Sequence, residues 1–385
     1  MQKTLKLPDS ALEYYYRKFF WRKFMKIEEI DGNFHAVPVI GKDEFVYFNA
    51  FAKPFSLEGF PWRRENQPPY RLPASFTEKD VNAGALNLAN HTAGGAVRFR
   101  TNSNRIALKA ILHYSCDMDH MPRTGSAGFD IFKKSAEGFI HAGTAKQSPG
   151  QIEMDLVIVQ DNPDGMTDWI LDLPLYGGVK TLEIGLEPGS ELEPPSPHKI
   201  SKPILFYGSS ITQGGCASRP GNAYTSMLCR TLDAEQINLG FSGSGKGEPA
   251  VAEAIASLDL AAFVLDYDHN APNAEHLKKT HEQFFRIVRK AHPDLPILIL
   301  SKCNFWGGAV DRERRDIIRA TCEHAVAEGD RKVRFIDGEI LFGTDPVERS
   351  WCTVDRCHPN DLGFFRMYQA VLPVLQEVLR GENER

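Results

Sequence analysis

The sequence lacks long hydrophobic runs and lacks an excess of positive charge. A membrane-spanning helix needs roughly 18 or more consecutive apolar residues, and no stretch of the 385-residue chain approaches that length. Its 45 basic and 50 acidic residues give a formal net charge of −5, so no general positive field would attract nucleic acid. We therefore expect no membrane span and no nucleic-acid partner.

Cysteines are few, and their spacing does not predict a metal site or a disulfide framework. The chain has seven, an odd number without any Cys-x-x-Cys pair. Cys352, Asp355, Cys357 and His358 are close in sequence, but no matching second pair accompanies them. We expect mostly buried, reduced thiols, a cytoplasmic location, and neither a metal nor another cofactor.

The amino terminus combines aromatic and basic residues in the segment YYYRKFFWRKFMK, residues 14–26. Its basic residues interrupt every apolar stretch, so we expect neither a signal peptide nor a membrane span. We interpret residues 1–34 as an amphipathic arm that docks on the protein or on a neighbouring subunit. The pattern does not indicate an oligomeric state.

Residues 35–195 show the alternation that is typical of strands. Apolar residues recur at Val97 and Phe99, and again at Leu182 and Ile184. Turns rich in Gly, Pro, Asn and Asp separate the short runs, with little helical pattern between them. This part is predicted to be an all-β sandwich of the jelly-roll type.

A change of period marks a second predicted domain, residues 200–385. Four prolines in residues 191–203 predict an extended linker outside both cores. Beyond it, strand-like runs alternate with helical segments, of which 273–292 and 359–380 are predicted to be the longest. Such units predict a flavodoxin-like α/β/α domain with a parallel five-stranded sheet. The runs are 203–208, 235–240, 261–267, 296–302 and 333–337.

The first of these runs ends in two adjacent serines, in the segment PILFYGSSITQGG, residues 203–215. Small polar residues after a buried strand lie at the carboxyl edge of the sheet, where open α/β folds bind ligands. Either Ser209 or Ser210 could be a nucleophile. The alternative is that the serine only caps the following helix.

A histidine and a carboxylate that could activate a serine occur in the segment TVDRCHPNDLG near the last helix. Asp355 lies three residues before His358, so its carboxylate can reach Nδ1 while Nε2 points to a nucleophile. An isolated Asp-x-x-His is otherwise more typical of a surface loop.

Four ordered segments, GSSIT, NLGFSG, DYDHN and DRCHPND, resemble the SGNH (GDSL-type) esterase and acyltransferase family over residues 200–380. The resemblance implies a triad of Ser210, Asp355 and His358. It also implies an oxyanion hole formed by Ser210, Gly243 and Asn270. Ser209 replaces the usual aspartate, and the third segment departs from Gly-x-Asn-Asp. From the residues alone, Gly243 could be a turn residue and Asn270 a helix cap.

A looser resemblance covers the upstream half. The segment GFDIF, residues 128–132, is similar to the Gly-x-Asp-Leu-Tyr stretch of a β-sandwich that precedes the catalytic domain in one branch of this family. That branch implies a sandwich bordering the active-site mouth and a role as a carbohydrate acetyl esterase.

The function that we predict is hydrolysis of short acyl esters, with an O-acetylated saccharide as substrate, through an acyl-serine intermediate. An acyltransferase would use the same residues, and a non-catalytic glycan-binding protein is an alternative of another class. The segment GFSGSGKG, residues 240–247, resembles a phosphate-binding loop but has Gly247 where a hydroxyl must hold magnesium. The chain lacks the Gly-x-Ser-x-Gly motif of α/β-hydrolase lipases.

Overall fold

Two antiparallel sheets form from the alternating segments of the first half. The computed structural model describes residues 44–64, 67–303 and 307–383, so the predicted arm 1–34 lies outside the described residues. The strands order as β1-β9-β4-β7 in one sheet and β10-β3-β8-β5-β6 in the other, with β2 paired to β3. They are β1 Val46–Asn49, β2 Ser56–Glu58, β3 Ala96–Thr101, β4 Ile106–Leu112, β5 Phe129–Lys134, β6 Phe139–Ala145, β7 Glu153–Val159, β8 Thr167–Asp172, β9 Val179–Leu186 and β10 Leu192–Glu193.

The inward faces of these two sheets share one hydrophobic core. Phe99 of β3, Leu108 of β4 and Ile184 of β9 are fully buried in the same cluster, although they come from different sheets. Alternate residues of β3, β5, β8 and β9 face this core, as the alternation predicts. The predicted β-sandwich is confirmed, and we refer to residues 44–193 as the sandwich region.

The second half, here the α/β region of residues 200–383, contains a five-stranded sheet in which every pairing is parallel. Its order is β12-β11-β13-β14-β15, which is the flavodoxin-like order that we predicted. Phe206 packs on one face of the sheet, and Leu205 and Tyr207 pack on the other. The strands are β11 Ile200–Gly208, β12 Ala234–Gly240, β13 Ala262–Asp266, β14 Ile297–Leu300 and β15 Val333–Ile336.

Helices cover both faces of this sheet. In the described ranges, none is both long and apolar enough to cross a bilayer. One length prediction was wrong: the helix 309–327 has 19 residues, one more than the helix 274–291. Its charged residues hide a narrow buried stripe that includes Ile318 and Cys322. The helices are α1 Ala83–Leu88, α2 Arg123–Ser126, α3 Ser210–Gln213, α4 Tyr224–Leu232, α5 Pro249–Ala256, α6 Ala274–Ala291, α7 Ala309–Ala327, α8 Pro346–Ser350 and α9 Asp361–Asn383, with a 3₁₀ turn at Pro220–Asn222.

The proline-rich segment 191–203 is not the free linker that its composition predicts. Leu192 and Glu193 pair with β3, and β11 already begins at Ile200. Between them, the His198 ring contacts Glu58 at 3.0 Å and Asp233 at 2.9 Å. Prolines are compatible with extended edge strands, so this segment is fastened to both regions. The domain boundaries at 195 and 200 stay a prediction.

The segment before β3 is tied to the parallel sheet by one buried arginine. The guanidinium of Arg71 donates to the carbonyl oxygens of Leu88, His91, Asn238 and Gly240 at 2.7–3.0 Å. Burial lowers its pKa to about 9, and the four carbonyls replace the water that the guanidinium loses. The end of β12 therefore has a fixed neighbour in the sandwich region.

Candidate active site

The two adjacent serines after β11 have different surroundings. Ser209 is fully buried, and its Oγ accepts the Ile211 N–H at 3.1 Å, so this hydroxyl caps α3. The Thr212 hydroxyl accepts the Ser209 N–H at 3.2 Å and completes a capping box. The helix thus uses the Ser209 hydroxyl, whereas Ser210, its first residue, keeps its hydroxyl for another partner.

That partner is His358, which lies 148 residues later in the chain. Ser210 Oγ is 3.0 Å from His358 Nε2, and His358 Nδ1 is 2.7 Å from Asp355 Oδ2. Both distances are those of hydrogen bonds. The structure therefore joins the three residues of the predicted triad in one continuous chain of hydrogen bonds.

A tight turn brings the Asp355 carboxylate under the imidazole. The Val354 N–H donates to the His358 carbonyl at 3.0 Å, and Thr353 bridges to Pro359 across the turn. Arg356, at its tip, has a φ of 66°, in the left-handed region. The chain on either side of Arg356 is thereby folded back on itself. This places the Asp355 carboxylate beside the His358 ring.

Hydrogen bonds keep the Asp355 carboxyl ionised. Burial raises its pKa, but the His358 ring and the N–H groups of His358 and Cys357 outweigh burial and lower the pKa to about 2. The two N–H groups donate to Oδ1 at 2.7 and 2.9 Å, while Oδ2 faces the ring. An ionised carboxylate holds the proton of a neutral imidazole on Nδ1, so Nε2 is left to accept the serine proton.

The predicted oxyanion donors follow three adjacent strands of the sheet. Ser210 follows β11, Gly243 follows β12 and Asn270 follows β13. Gly243 has a φ of +65°, which favours glycine, and a Cβ built there would meet nothing within 4 Å. The space on the Cβ side of Gly243 is therefore open.

The side chain of Asn270 lies against the same loop and does not cap a helix. Its Nδ2 donates to the Phe241 carbonyl at 2.8 Å, which leaves the second amide hydrogen for another acceptor. The cap of α6 is Asn273, whose side chain accepts the His276 N–H. The helix-cap interpretation of Asn270 is therefore wrong.

Two buried carboxylates near the site have partners other than the histidine of the triad. Asp266 accepts hydrogen bonds from Thr212 at 2.9 Å and from Tyr224 at 2.8 Å, and burial raises its pKa to about 7. Asp268 accepts the Lys302 N–H at 3.0 Å, and burial raises its pKa to about 6. Both brace the loops rather than orient the imidazole.

A histidine of the sandwich region reaches the site, which the sequence did not predict. The His120 and His358 rings have centroids 5.9 Å apart. One ligand atom from each of these two residues and from Cys216 lies within 4.8 Å of the others, close enough to share a cation. Burial raises the pKa of Cys216 to about 12, which disfavours the thiolate. A cation there would compete for the imidazole that the triad uses.

The segment GFDIF, residues 128–132, holds the chain that follows α3. The Asp130 carboxylate is fully buried and accepts the Arg219 guanidinium at 2.8 Å and the Gly221 N–H at 3.0 Å. Nearby, the Thr124 hydroxyl donates to the Ser218 carbonyl. The sandwich region thus fixes residues 218–221, which follow the helix of the candidate nucleophile in the chain.

Two family models match the chain. A model of the GDSL-like lipase/acylhydrolase family matches residues 201–376. The GxDLY model, which describes the N-terminus of SGNH-type esterases, matches residues 45–192. No curated protein matches the chain in sequence.

Solved structures share the fold over most of the chain. A structure from Bacteroides ovatus assigned as a GDSL-like lipase is 30% identical, has a TM-score of 0.77, and aligns over 87% of this chain and 98% of its own. A salicylyl-acyltransferase from a tetracycline biosynthetic pathway is 19% identical, with a TM-score of 0.73 over 88% and 98%. An acetyl xylan esterase from the rumen bacterium Butyrivibrio proteoclasticus is 15% identical, with a TM-score of 0.56 over 88% and 99%. The last two are similar in fold alone.

Proposed function

The chain belongs to the GDSL-like lipase/acylhydrolase (SGNH hydrolase) family and is a carboxylic ester hydrolase, and from this premise we propose that Ser210, His358 and Asp355 form its catalytic triad. The observation that carries the proposal is the hydrogen-bond chain from Ser210 Oγ through the His358 ring to Asp355, at 3.0 and 2.7 Å. This chain provides a nucleophile, a base and an orienting carboxylate in reach of one another.

In the proposed mechanism, His358 Nε2 takes the hydroxyl proton while Ser210 Oγ attacks the ester carbonyl carbon. The imidazolium, stabilised by Asp355, then protonates the departing alcohol, and an acyl-Ser210 intermediate remains. Water attacks this acyl group with His358 again as base, and the acid leaves as the serine is restored. Each proton transfer uses Nε2, because Asp355 holds the proton of Nδ1.

The charge on the tetrahedral intermediate needs donors that are in place before the reaction. We assign this role to the Ser210 and Gly243 N–H groups and to the Asn270 amide, which lie after three neighbouring strands. A Cβ built on Gly245 would lie 2.3 Å from the Gly208 carbonyl oxygen and 3.6 Å from Asn270 Nδ2. This closeness of the three loops supports their convergence on one oxyanion.

For the substrate, we propose a short acyl ester, chiefly acetyl, on a carbohydrate. The fold is shared with an acetyl xylan esterase, and His120 of the sandwich region lies beside the candidate base. A polar ring at this position can contact the alcohol part of a saccharide ester. In this proposal residues 35–195 and 200–385 act as two domains that enclose the mouth of the site.

An acyltransferase is the second candidate, favoured by the fold shared with a salicylyl-acyltransferase. Both reactions pass through the same acyl-serine, and they differ in whether water or a second alcohol takes the acyl group. Purified protein incubated with acetylated oligosaccharides, with and without acceptor alcohols, distinguishes them. Release of acetate at a rate that added alcohols leave unchanged supports the esterase. Acyl transfer to an alcohol at the expense of free acetate supports the transferase.

A further inference from the structure

One buried side chain holds the loop that carries Gly243. Gln213, the last residue of α3, is fully buried. Its Oε1 accepts a hydrogen bond from the N–H of Ser242 at 3.0 Å. Ser242 directly precedes Gly243 in the chain. The Nε2 of Gln213 donates to the Leu175 carbonyl and to His91 Nδ1, each at 3.1 Å. The amide therefore links the nucleophile helix, the Gly243 loop and the sandwich region.

The orientation of this amide follows from its partners. A backbone carbonyl can only accept, so the nitrogen of the Gln213 amide must face Leu175, and the oxygen must then face the Ser242 N–H. His91 Nδ1 accepts as well only if its ring is neutral. Burial, together with the charges on Arg71 and His113, lowers the pKa of His91 to about 3. The ring is neutral at ordinary pH, and the network has one consistent arrangement.

A second contact holds the same residue from the sandwich side. The Tyr176 hydroxyl lies 2.7 Å from Ser242 Oγ, so Ser242 is held at both its N–H and its hydroxyl. The next amide in the chain is that of Gly243, and a Cβ built on this residue would meet nothing within 4 Å. The residue directly before the candidate donor is therefore held by two hydrogen bonds, one at its N–H and one at its hydroxyl.

We infer that Gln213 is a positioning residue for the oxyanion hole, that it sets the direction of the Gly243 N–H by holding Ser242, and that His91 fixes Gln213 in turn. This inference rests on the proposed function, because it needs Ser210 to form a tetrahedral intermediate. Neither side chain touches the substrate. Both act by keeping a backbone donor in place before charge develops.

The first test replaces Gln213 by methionine, which keeps the volume and removes the acceptor and both donors. Removing an oxyanion donor costs about 10²–10³-fold in kcat, so loss of its support is expected to lower kcat by about ten- to a hundredfold with KM changed by less than about threefold. A boronic acid that forms a tetrahedral adduct with Ser210 should lose affinity by the same factor as kcat/KM.

A matched control separates positioning from stability. Gln236 is also a buried glutamine, and its Nε2 donates to the Thr225 hydroxyl at 2.7 Å, away from the Gly243 loop. Gln236→Met should lower the melting temperature as Gln213→Met does, but should leave kcat and boronic acid affinity within about threefold of wild type, since transition-state binding is unchanged.

The second test uses a pair of substitutions at His91. Asparagine places an oxygen near the position of Nδ1 and keeps the acceptor, whereas leucine keeps the bulk and removes it. His91 packs edge-on against Tyr114 and Tyr176, so the smaller asparagine should be the less stable variant. We expect His91→Leu to lose about tenfold in kcat and His91→Asn to stay within about threefold, as expected for a change in hydrogen bonding rather than packing.

Full kcat and full boronic acid affinity in Gln213→Met would overturn the inference, as would activities at position 91 that follow stability instead of the acceptor. These outcomes differ from failure of the proposed function. In that case the wild-type protein itself would lack esterase activity that depends on Ser210, and the boronic acid would not bind the wild-type protein through Ser210.

Discussion

In the α/β region, Ser210 begins helix α3 shortly after β11, and Asn270 and Asp355 lie in loops. The strands and helices that flank these residues are visible in the sequence as hydrophobic runs. In the sandwich region, His91, His120 and Tyr176 stand in irregular segments between strands, where no period marks them. The chemistry of the site thus follows from a rule about sheet edges. The sandwich-region residues that support the site cannot be predicted in this way, because their positions depend on how the two regions pack.

The largest effect is expected from a substitution in the triad that leaves the sandwich region unchanged. Asp355→Asn lets an amide donate to Nδ1, which puts the remaining proton on Nε2, where it cannot accept from Ser210. We expect kcat to fall by about 10⁴-fold with KM near wild type, as in another serine hydrolase. Steady-state kinetics on 4-nitrophenyl acetate measures this.

The double variant Asp355→Asn/His358→Ala is the control for that prediction. Because the two residues act as a unit, it should lose little more than His358→Ala alone. Penalties that multiply in the double variant would mean that Asp355 does not act through His358 and that the assigned triad is wrong.

A smaller effect is expected at the third loop. Asn270→Ala removes one candidate oxyanion donor and should lower kcat by about 10²–10³-fold. Asn273→Ala, three residues away, removes the cap of α6 and should cost about 1 kcal/mol of stability with unchanged kcat. Comparable kcat in the two variants would remove Asn270 from the oxyanion hole.

The sandwich region should influence binding more than chemistry. His120→Ala removes a ring beside His358 and should raise KM for an acetylated oligosaccharide by about three- to tenfold, the value of one hydrogen bond. The same change should leave KM for 4-nitrophenyl acetate near wild type, because the small ester lacks the sugar. Equal effects on both substrates would argue against contact between His120 and the saccharide.

The smallest expected effect concerns the junction of the two regions. Burial lowers the pKa of His198, but its hydrogen bonds to Asp233 and Glu58, aided by the charge on Glu58 and opposed by that on Arg98, raise it overall. A raised folded-state pKa means that protonated His198 stabilises the fold below about pH 6.5. This contribution is lost as the pH rises through the folded-state value.

Chemical unfolding of wild type and His198→Gln between pH 6 and 9 measures that contribution. The difference in the free energy of unfolding should be largest near pH 6 and should shrink toward pH 9. A difference that is constant or grows with pH would show that the junction does not depend on the charge of His198.

Much of the fold could be predicted because the burial of one or both faces of a strand or helix determines the spacing of its apolar residues. The alternation around Phe99 predicts a sandwich strand, and the uniformly apolar run at Ile204–Tyr207 predicts a strand covered on both faces. The length of helix α7 was underestimated because its many charged residues obscure the narrow apolar stripe around Ile318. The segment around His198 was misjudged because prolines suggest a linker even where neighbouring side chains fasten the chain.

Some residues of the candidate site could likewise be predicted from the sequence, and others could not. Ser210 and His358 lie in the short motifs GSSIT and DRCHPND, and the family resemblance of these motifs predicts that the two residues meet. Gln213 and His91 are 122 residues apart, and neither lies in a motif of its own. A hydrogen bond between such side chains depends on the docking of the two regions, which no local pattern encodes.

The most direct test of the central claim compares Ser210→Ala with Ser209→Ala in hydrolysis of 4-nitrophenyl acetate. Ser210→Ala removes the proposed nucleophile and should lower kcat at least about 10⁴-fold. Ser209→Ala removes only a helix cap, costs about 1 kcal/mol of stability, and should keep kcat within about tenfold of wild type. Similar losses in the two variants, or substantial activity in Ser210→Ala, would contradict the assignment of the nucleophile.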